Sequence, residues 1–282
     1  MPPQTLAQLF YDLASPWLNL AGLRLRDVDV VGDNITIALI FLFILGGCFG
    51  SFANAAAMRL VRDESPITPP SRCRFCEKPL GWRENMPLFG WLFLRGRCAC
   101  LKFALPRRYV LVEWGFATLT AWLAYHLPLS VFAILTILNI IIVIALLTDS
   151  EAMVLHPPSL LAGILIALAA PFISQDWPVT VTSGAIGAML GASIIIGTNL
   201  IYKVTRGRNG LGQGDIWLLA MIGASFGAPT AVLLFFAASF IGAVTGITLI
   251  LAKKAESSSK LPFGLFLSLV FLLYPALNML LV

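Results

Sequence analysis

Long apolar runs dominate this sequence and restrict what it can fold into. Hydrophobic residues make up 59% of the chain and charged residues only 12%, whereas soluble domains carry about 25% charged residues. A stretch of roughly 20 apolar residues is long enough for a helix to cross the hydrocarbon core of a bilayer. The composition therefore excludes an ordinary soluble domain and predicts an all-α polytopic membrane protein.

Eight segments of the sequence are interpreted as transmembrane helices. The apolar stretch 216–252 holds two of them, divided near Ala228-Pro229, and the first of this pair is short. The predicted spans are 35–57, 109–127, 130–148, 157–174, 183–202, 216–228, 229–252 and 262–281.

The distribution of Lys and Arg predicts the orientation of these spans. Eleven of the 19 basic residues lie between Arg59 and Arg108, three lie in 203–208 and three in 253–260. The alternate loops carry none. Because short loops rich in Lys and Arg stay on the cytoplasmic side, we expect these three segments to be cytoplasmic. The charge distribution agrees with the eight-span count.

The first 34 residues precede the first span and are predicted to form an amphipathic segment at the membrane interface. A loosely ordered tail is the alternative. No basic region precedes the apolar residues, and aspartates interrupt them, which argues against a cleaved signal. The apolar residues that recur at helical spacing are Leu6, Phe10, Leu13, Trp17 and Leu20.

The segment 58–108 is the only sizeable polar region, and it is too poor in periodic apolar residues to build a large core by itself. Four cysteines in it form a C-x-x-C and a C-x-C motif. Because a cytosolic segment is kept reduced, a structural zinc site is favoured over disulfides or redox-active thiols. The predicted ligands are Cys73, Cys76, Cys98 and Cys100.

Two aspartates stand where charged groups are costly. Asp149 closes the apolar run 135–148, and Asp215 opens the run 216–227. Two neighbouring carboxylates, one protonated and one ionised, can activate water against a peptide bond. The alternatives are a helix cap for Asp215 and an ordinary interfacial carboxylate for Asp149. The orientation places both aspartates at the cytoplasmic face.

Several short motifs, in a fixed order, resemble those of the type IV prepilin peptidases. Three positions depart from the family pattern: Trp217 replaces a common lysine, Leu155-His156-Pro157 replaces L-P-D, and the second cysteine pair is one residue short. The motifs are Gly50-Ser51-Phe52-Ala53-Asn54, Arg59-Leu60, Cys73-Arg74-Phe75-Cys76, Glu84-Asn85-Met86-Pro87, Arg95-Gly96-Arg97-Cys98, Thr148-Asp149, Gly212-Gln213-Gly214-Asp215 and Pro262-Phe263-Gly264.

This resemblance implies a function. Family members cut the basic leader of prepilins and pseudopilins after a glycine, at the cytoplasmic face of the bacterial inner membrane, in pilus assembly or type II secretion. Many then methylate the new N-terminus with S-adenosylmethionine. Asp149 and Asp215 match the catalytic aspartates, with Gly212 and Gly214 beside the second. The resemblance divides the chain into a zinc and methyltransferase region at 58–108 and a peptidase region at 109–282.

Other interpretations of the same residues stay open. The aspartates could carry protons or cations in a transporter, although no internal repeat supports that, or the chain could be an inactive assembly protein. Glu113 is a candidate for the active-site loop, or it could pair with Arg107, Arg108 or Lys102. The expected partners are prepilins or pseudopilins and membrane lipids, and no nucleic acid.

Overall fold

Helices form almost the entire described structure, which is a computed structural model covering residues 33–68, 72–73, 77–82, 84–98, 104–207, 210–253 and 261–281. Within these ranges there are nine α-helices and no strand, with two isolated β-bridges. The predicted amphipathic segment lies almost wholly outside the described residues. The helices are α1 Asp33–Leu60, α2 Gly90–Phe93, α3 Arg108–His126, α4 Leu129–Ala152, α5 Pro157–Ile173, α6 Val181–Arg206, α7 Gln213–Phe226, α8 Ala228–Leu251 and α9 Phe263–Leu281.

A helix stands at each of the eight predicted spans, and α2 is a short additional one. Four of the described helices, α1, α4, α6 and α8, are long and apolar enough to cross a membrane, as judged by length and composition. Two more, α5 and α9, are apolar but shorter. The fold is therefore that of a helical membrane protein.

The chain turns sharply between α4 and α5, just after Asp149. Met153 ends α4 in the left-handed region at φ 53°, and its N–H donates to the carbonyl of Asp149. Pro157 then begins α5, a position where its missing N–H costs nothing. His156 precedes it as the N-cap, and its Nδ1 accepts the N–H of Ser159 at 3.3 Å. These local signals hold Asp149 in the last turn of α4.

Helix α7 lies at the centre of the bundle and packs against α5, α6, α8 and α9. Its contact with α6 is very close, because a Cβ on Gly187 would lie 2.2 Å from the carbonyl oxygen of Gly223. Gly184 and Gly191 face α7 in the same way, whereas Gly197 has nothing within 4 Å. The small-residue pattern in α6 thus marks a real helix contact over its first three glycines only. This contact fixes the position of Asp215 at the start of α7.

Helix α1 packs against α3 and α4. A Cβ on Gly46 would lie 2.7 Å from Thr120, and one on Gly50 would lie 3.0 Å from the Cα of Glu113. The helices approach this closely because neither glycine has a side chain. The polar segment between α1 and α3 packs against this helix pair, since a Cβ on Gly47 would lie 2.7 Å from the side chain of Leu88.

Candidate active site

Asp149 lies in the last turn of α4 and is only 5% exposed. Its Oδ2 accepts the backbone N–H of Leu265 at 2.7 Å. This donor belongs to the first turn of α9, where backbone N–H groups have no partner within the helix. A Cβ on Gly264 would lie 2.9 Å from the same oxygen, so the glycine leaves room for the carboxylate. Asp149 is thus a buried side chain that joins α4 to α9.

Asp215 is the third residue of α7 and is 4% exposed. Its Oδ2 accepts the backbone N–H of Gly212 at 2.9 Å, and Gly212 is the N-cap residue. The hydrogen bond from Gly212 is a capping contact, as the helix-cap interpretation of Asp215 predicts, although the N-cap residue itself is Gly212. Gly214 has no room for a side chain, since a Cβ there would lie 2.5 Å from the Cβ of Leu155.

The two aspartates lie near each other. Leu155 packs against Gly214 and also reaches within 3.0 Å of where a Cβ on Gly264 would be, so one side chain contacts the starts of both α7 and α9. The charge of Asp149 acts directly on Asp215. Each carboxylate also lies at a helix N-terminus, where the helix dipole favours negative charge. Two buried carboxylates that lie close together share one proton more readily than they both ionise.

Glu113 lies on the part of α3 that faces α1, where its Cα would be 3.0 Å from a Cβ on Gly50. Its Oε2 accepts the N–H of Leu88 at 2.8 Å, and the indole N–H of Trp114 donates to the carbonyl of Leu88 at 3.1 Å. Leu88 has φ 68° and is 2% exposed. Two consecutive residues of α3 therefore hold a left-handed turn of the polar segment against the helix pair.

Arg108 and Glu151 form an ion pair that the sequence patterns did not indicate. The side chain of Glu151 is only 15% exposed. The pair connects the start of α3 to the end of α4, two residues beyond Asp149. Little in the sequence indicated this ion pair. Arg108 is one of eleven basic residues in the segment 59–108, and the sequence does not show which acidic residue each of them contacts.

Two of the four predicted zinc ligands lie within the described residues. Cys73 and Cys98 are buried, and their Sγ atoms are 2.7 Å apart. Each follows the first residue of a β-bridge, Arg72 with Pro79 and Arg97 with Ala104. Cys76 and Cys100 lie outside the described residues. Among the residues that are described, no group of three or more His, Cys, Asp or Glu side chains is arranged to hold a metal.

The fold and the site define a class, a helical membrane protein with two buried aspartates, one in the last turn of α4 and one in the first turn of α7. Two family models match this chain. The one described as "Bacterial Peptidase A24 N-terminal domain" matches residues 44–127, and the one described as "Type IV leader peptidase family" matches residues 136–247. The chain belongs to the type IV leader peptidase family.

Curated relatives agree with this assignment, and each is named a prepilin leader peptidase/N-methyltransferase. The protein from Stutzerimonas stutzeri is 30% identical over 86% of this chain and 91% of its own length. That from Aeromonas hydrophila is 31% identical, with coverages of 82% and 87%. That from Myxococcus xanthus is 35% identical, with coverages of 80% and 68%. No solved structure matches the chain.

Proposed function

We propose that this chain removes the basic leader of type IV prepilins or pseudopilins by cutting after a glycine, and that Asp149 and Asp215 are its catalytic pair. The observation that carries the proposal is the burial of two carboxylates, one on the first turn of α9 and one on the first turn of α7, with Leu155 packed against both of these helix starts. Two buried groups of like charge repel each other, so they would not be expected if their only role were to stabilise the fold. A transporter is the less favoured alternative.

The pair provides both halves of acid–base catalysis. The ionised carboxylate takes a proton from a water molecule, whose oxygen attacks the scissile carbonyl carbon, while the protonated carboxyl donates to the carbonyl oxygen. The tetrahedral intermediate then collapses: the C–N bond breaks as the leaving nitrogen takes the proton that the first carboxyl gained from water, and the other carboxylate takes back its proton from the intermediate's hydroxyl group. The two carboxyls titrate as a unit, so neither residue is assigned permanently as base or acid.

The proposal includes a topology. The eight helices other than α2 cross the bacterial inner membrane, with α7 as a short or tilted span, and the aspartates and the cysteine segment face the cytoplasm. This arrangement is supported by the position of the basic segments at 59–108, 203–208 and 253–260. The peptidase machinery lies within 109–282. The substrates act in type IV pilus assembly or type II secretion.

A structural zinc ion bound by Cys73, Cys76, Cys98 and Cys100 completes the polar segment in this proposal. Two of the proposed ligands, the thiols of Cys73 and Cys98, are buried next to each other, and this supports the proposal. Each cysteine pair also lies, in the sequence, between the two residues of one β-bridge, and in both cases these residues are seven positions apart. When bound, zinc would hold the two turns together and leave no open position for catalysis.

Replacing Cys73 or Cys98 by serine is expected to remove the zinc. The purified chain should carry about one zinc per molecule, and each variant should carry much less by elemental analysis. Cys48→Ser is the matched control, since Cys48 is exposed on α1, and it should keep the metal. Wild-type protein that carries no zinc, or a Cys73→Ser variant that keeps it all, would contradict this site.

The second proposed activity is methylation of the new N-terminus with S-adenosylmethionine as methyl donor. It rests on the names of the relatives and on the family motifs in 58–108. One experiment tests both activities: the purified protein is incubated with a prepilin and S-adenosylmethionine, and the product is weighed by mass spectrometry. Loss of the leader and gain of one methyl group are expected. An intact prepilin would overturn the proposed peptidase.

Gly264→Ala is expected to slow cleavage while leaving the fold intact. The new Cβ would lie 2.9 Å from Asp149 Oδ2 and 3.0 Å from its Cγ, so the carboxylate must shift. A misplacement of this size should lower the rate of leader release between about 10- and 100-fold. Gly115→Ala on α3 is the control, because its Cβ would meet nothing within 4 Å. Equal cleavage rates for the two variants would argue against a catalytic Asp149.

A further inference from the structure

The polar segment between α1 and α3 carries an apolar patch on its outer surface. The patch consists of Phe89, Leu92 and Phe93, which are between 44% and 64% exposed. Their spacing of three and four residues places them on one face of the short helix α2, and the rings of Phe89 and Phe93 lie 6.3 Å apart. Gly90, on the opposite face, is buried. Helix α2 therefore turns its apolar face away from the protein, whereas a helix beside water turns that face inward.

The contacts of Leu88, which precedes the patch, show how far along α1 the patch lies. The side chain of Leu88 meets α1 at Gly47, which is 13 residues before the helix ends at Leu60. This is about 20 Å along the helix axis. Helix α1 has 28 residues and is about 42 Å long, about 12 Å more than the hydrocarbon core of a bilayer. Even with all of this excess at the cytoplasmic end, Leu88 lies about 8 Å inside the core of a membrane that α1 crosses.

The backbone at Leu88 is bonded in the way that such a depth requires. Lipid offers no hydrogen bonds, so non-helical backbone enters a membrane only where protein groups satisfy its N–H and C=O. The N–H of Leu88 donates to Glu113 Oε2 at 2.8 Å, and its carbonyl accepts the indole N–H of Trp114 at 3.1 Å. Helix α2 begins two residues later, and the N–H of Phe93 donates to the carbonyl of Phe89 at 2.9 Å. Glu113 and Trp114 thus supply the bonds that lipid cannot.

A row of aromatic rings joins the apolar patch to the outer surface of α1. The ring of Phe89 lies 6.4 Å from that of Trp114 on α3, and Trp114 lies 5.6 Å from Phe43 on α1. The same part of α1 exposes further large apolar side chains, among them Phe41. Helix α1 is long and apolar enough to cross a membrane, and lipid then covers these side chains. The apolar patch continues this lipid-facing surface onto the polar segment.

We propose that residues 86–94 form a re-entrant segment, and that its apolar patch lies among the phospholipid acyl chains of the cytoplasmic leaflet. The proposal rests on the proposed topology, in which α1 and α3 cross the membrane, and adds a specific lipid contact to it. Arg95 and Arg97 follow the patch and are exposed, and basic side chains at this place attract the anionic headgroups beside the acyl chains. The polar segment is thereby held against the membrane surface.

Photocrosslinking from three positions tests the lipid contact. Benzoylphenylalanine is placed at Phe93, Phe41 or Ile67, one at a time, in the full chain, which is reconstituted in phosphatidylethanolamine and phosphatidylglycerol vesicles with radiolabelled acyl chains. Irradiation should attach lipid at Phe93 and at Phe41. Ile67 is the matched control, because it is as exposed as Phe93 but lies seven residues beyond the end of α1. It should take up about tenfold less label, since it lies outside the hydrocarbon core.

A charged substitution gives a second measurement of the same contact. An exposed phenylalanine in water can be replaced by aspartate at little cost, whereas a charge among acyl chains is expensive. Phe93→Asp should therefore lower the thermal unfolding midpoint in phospholipid nanodiscs by about 5 °C. Ile67→Asp should leave the midpoint unchanged.

The outcomes separate the lipid contact from the topology. Label at neither Phe41 nor Phe93 would overturn the proposed topology and the lipid contact with it. Label at Phe41 without label at Phe93 would overturn the lipid contact alone. Crosslinks from Phe93 to added prepilin or to a second copy of the chain, in place of lipid, would make the patch a protein interface and overturn the proposal. Equal midpoints for Phe93→Asp and Ile67→Asp would also contradict it.

Discussion

Asparagine in place of either Asp149 or Asp215 is expected to reduce leader cleavage by about 10³-fold or more, since general acid–base groups contribute about 10² to 10⁴. Asparagine has nearly the shape of aspartate and can still accept the N–H of Leu265 or Gly212 through its amide oxygen. It cannot carry or exchange the shared proton. The rate of leader release from a prepilin, followed by mass spectrometry, measures the loss.

Two controls make this loss specific. Asp176→Asn changes an exposed aspartate in the loop between α5 and α6 and should cleave as wild type does. Asp149→Asn and Asp215→Asn should still methylate a pilin whose leader has already been removed, because the proposed methyltransferase region at 58–108 contains neither aspartate. Cleavage at more than a tenth of the wild-type rate by either variant would argue against acid–base catalysis by the pair.

Valine in place of Gly187 is expected to disrupt the bundle. The Cβ alone would lie 2.2 Å from the carbonyl oxygen of Gly223 and 2.8 Å from its carbonyl carbon, and backbone atoms cannot move aside as a flexible side chain can. Helices α6 and α7 must separate. Overpacking usually costs about 1 to 3 kcal/mol, and this contact belongs at the upper end, about 3 kcal/mol. Cleavage should fall as well, since α7 carries Asp215.

Gly197→Val is the matched control for this prediction. It makes the same substitution in the same helix, but Gly197 has nothing within 4 Å of its added Cβ. Thermal unfolding in detergent should show a large drop in midpoint for Gly187→Val and little change for Gly197→Val. Equal midpoints for the two variants would mean that α6 and α7 do not touch at Gly187 and Gly223.

The positions of the helices could be predicted from the sequence, because a helix that is buried in lipid or in the core needs a continuous stretch of apolar residues. The helix ends were less predictable. The run 130–148 stopped before Asp149 in the prediction, whereas α4 continues to Ala152. A charged residue ends an apolar run in the sequence, but the helix can continue past it. The carboxylate can be buried when a backbone N–H from another helix donates a hydrogen bond to it. Here that donor is Leu265.

Contacts between residues that are far apart in the sequence could not be predicted from the spacing of residue types. Gly187 and Gly197 belong to the same small-residue pattern, yet only Gly187 meets another helix. Glu113 was considered as an active-site residue or as the partner of a nearby cation, and the structure places its carboxylate on the N–H of Leu88. The family motif Pro262-Phe263-Gly264 was a usable signal, because it marks the turn that meets Asp149.

A double-mutant cycle on the aspartates tests the central claim most directly. Leader-release rates are measured for wild type, Asp149→Asn, Asp215→Asn and the double variant under identical conditions. Because the pair acts as one unit, the double variant should be no slower than the slower single variant, as is found when catalytic groups depend on each other. A double variant slowed by the product of the two single losses would mean independent roles, and would contradict catalysis by a shared proton.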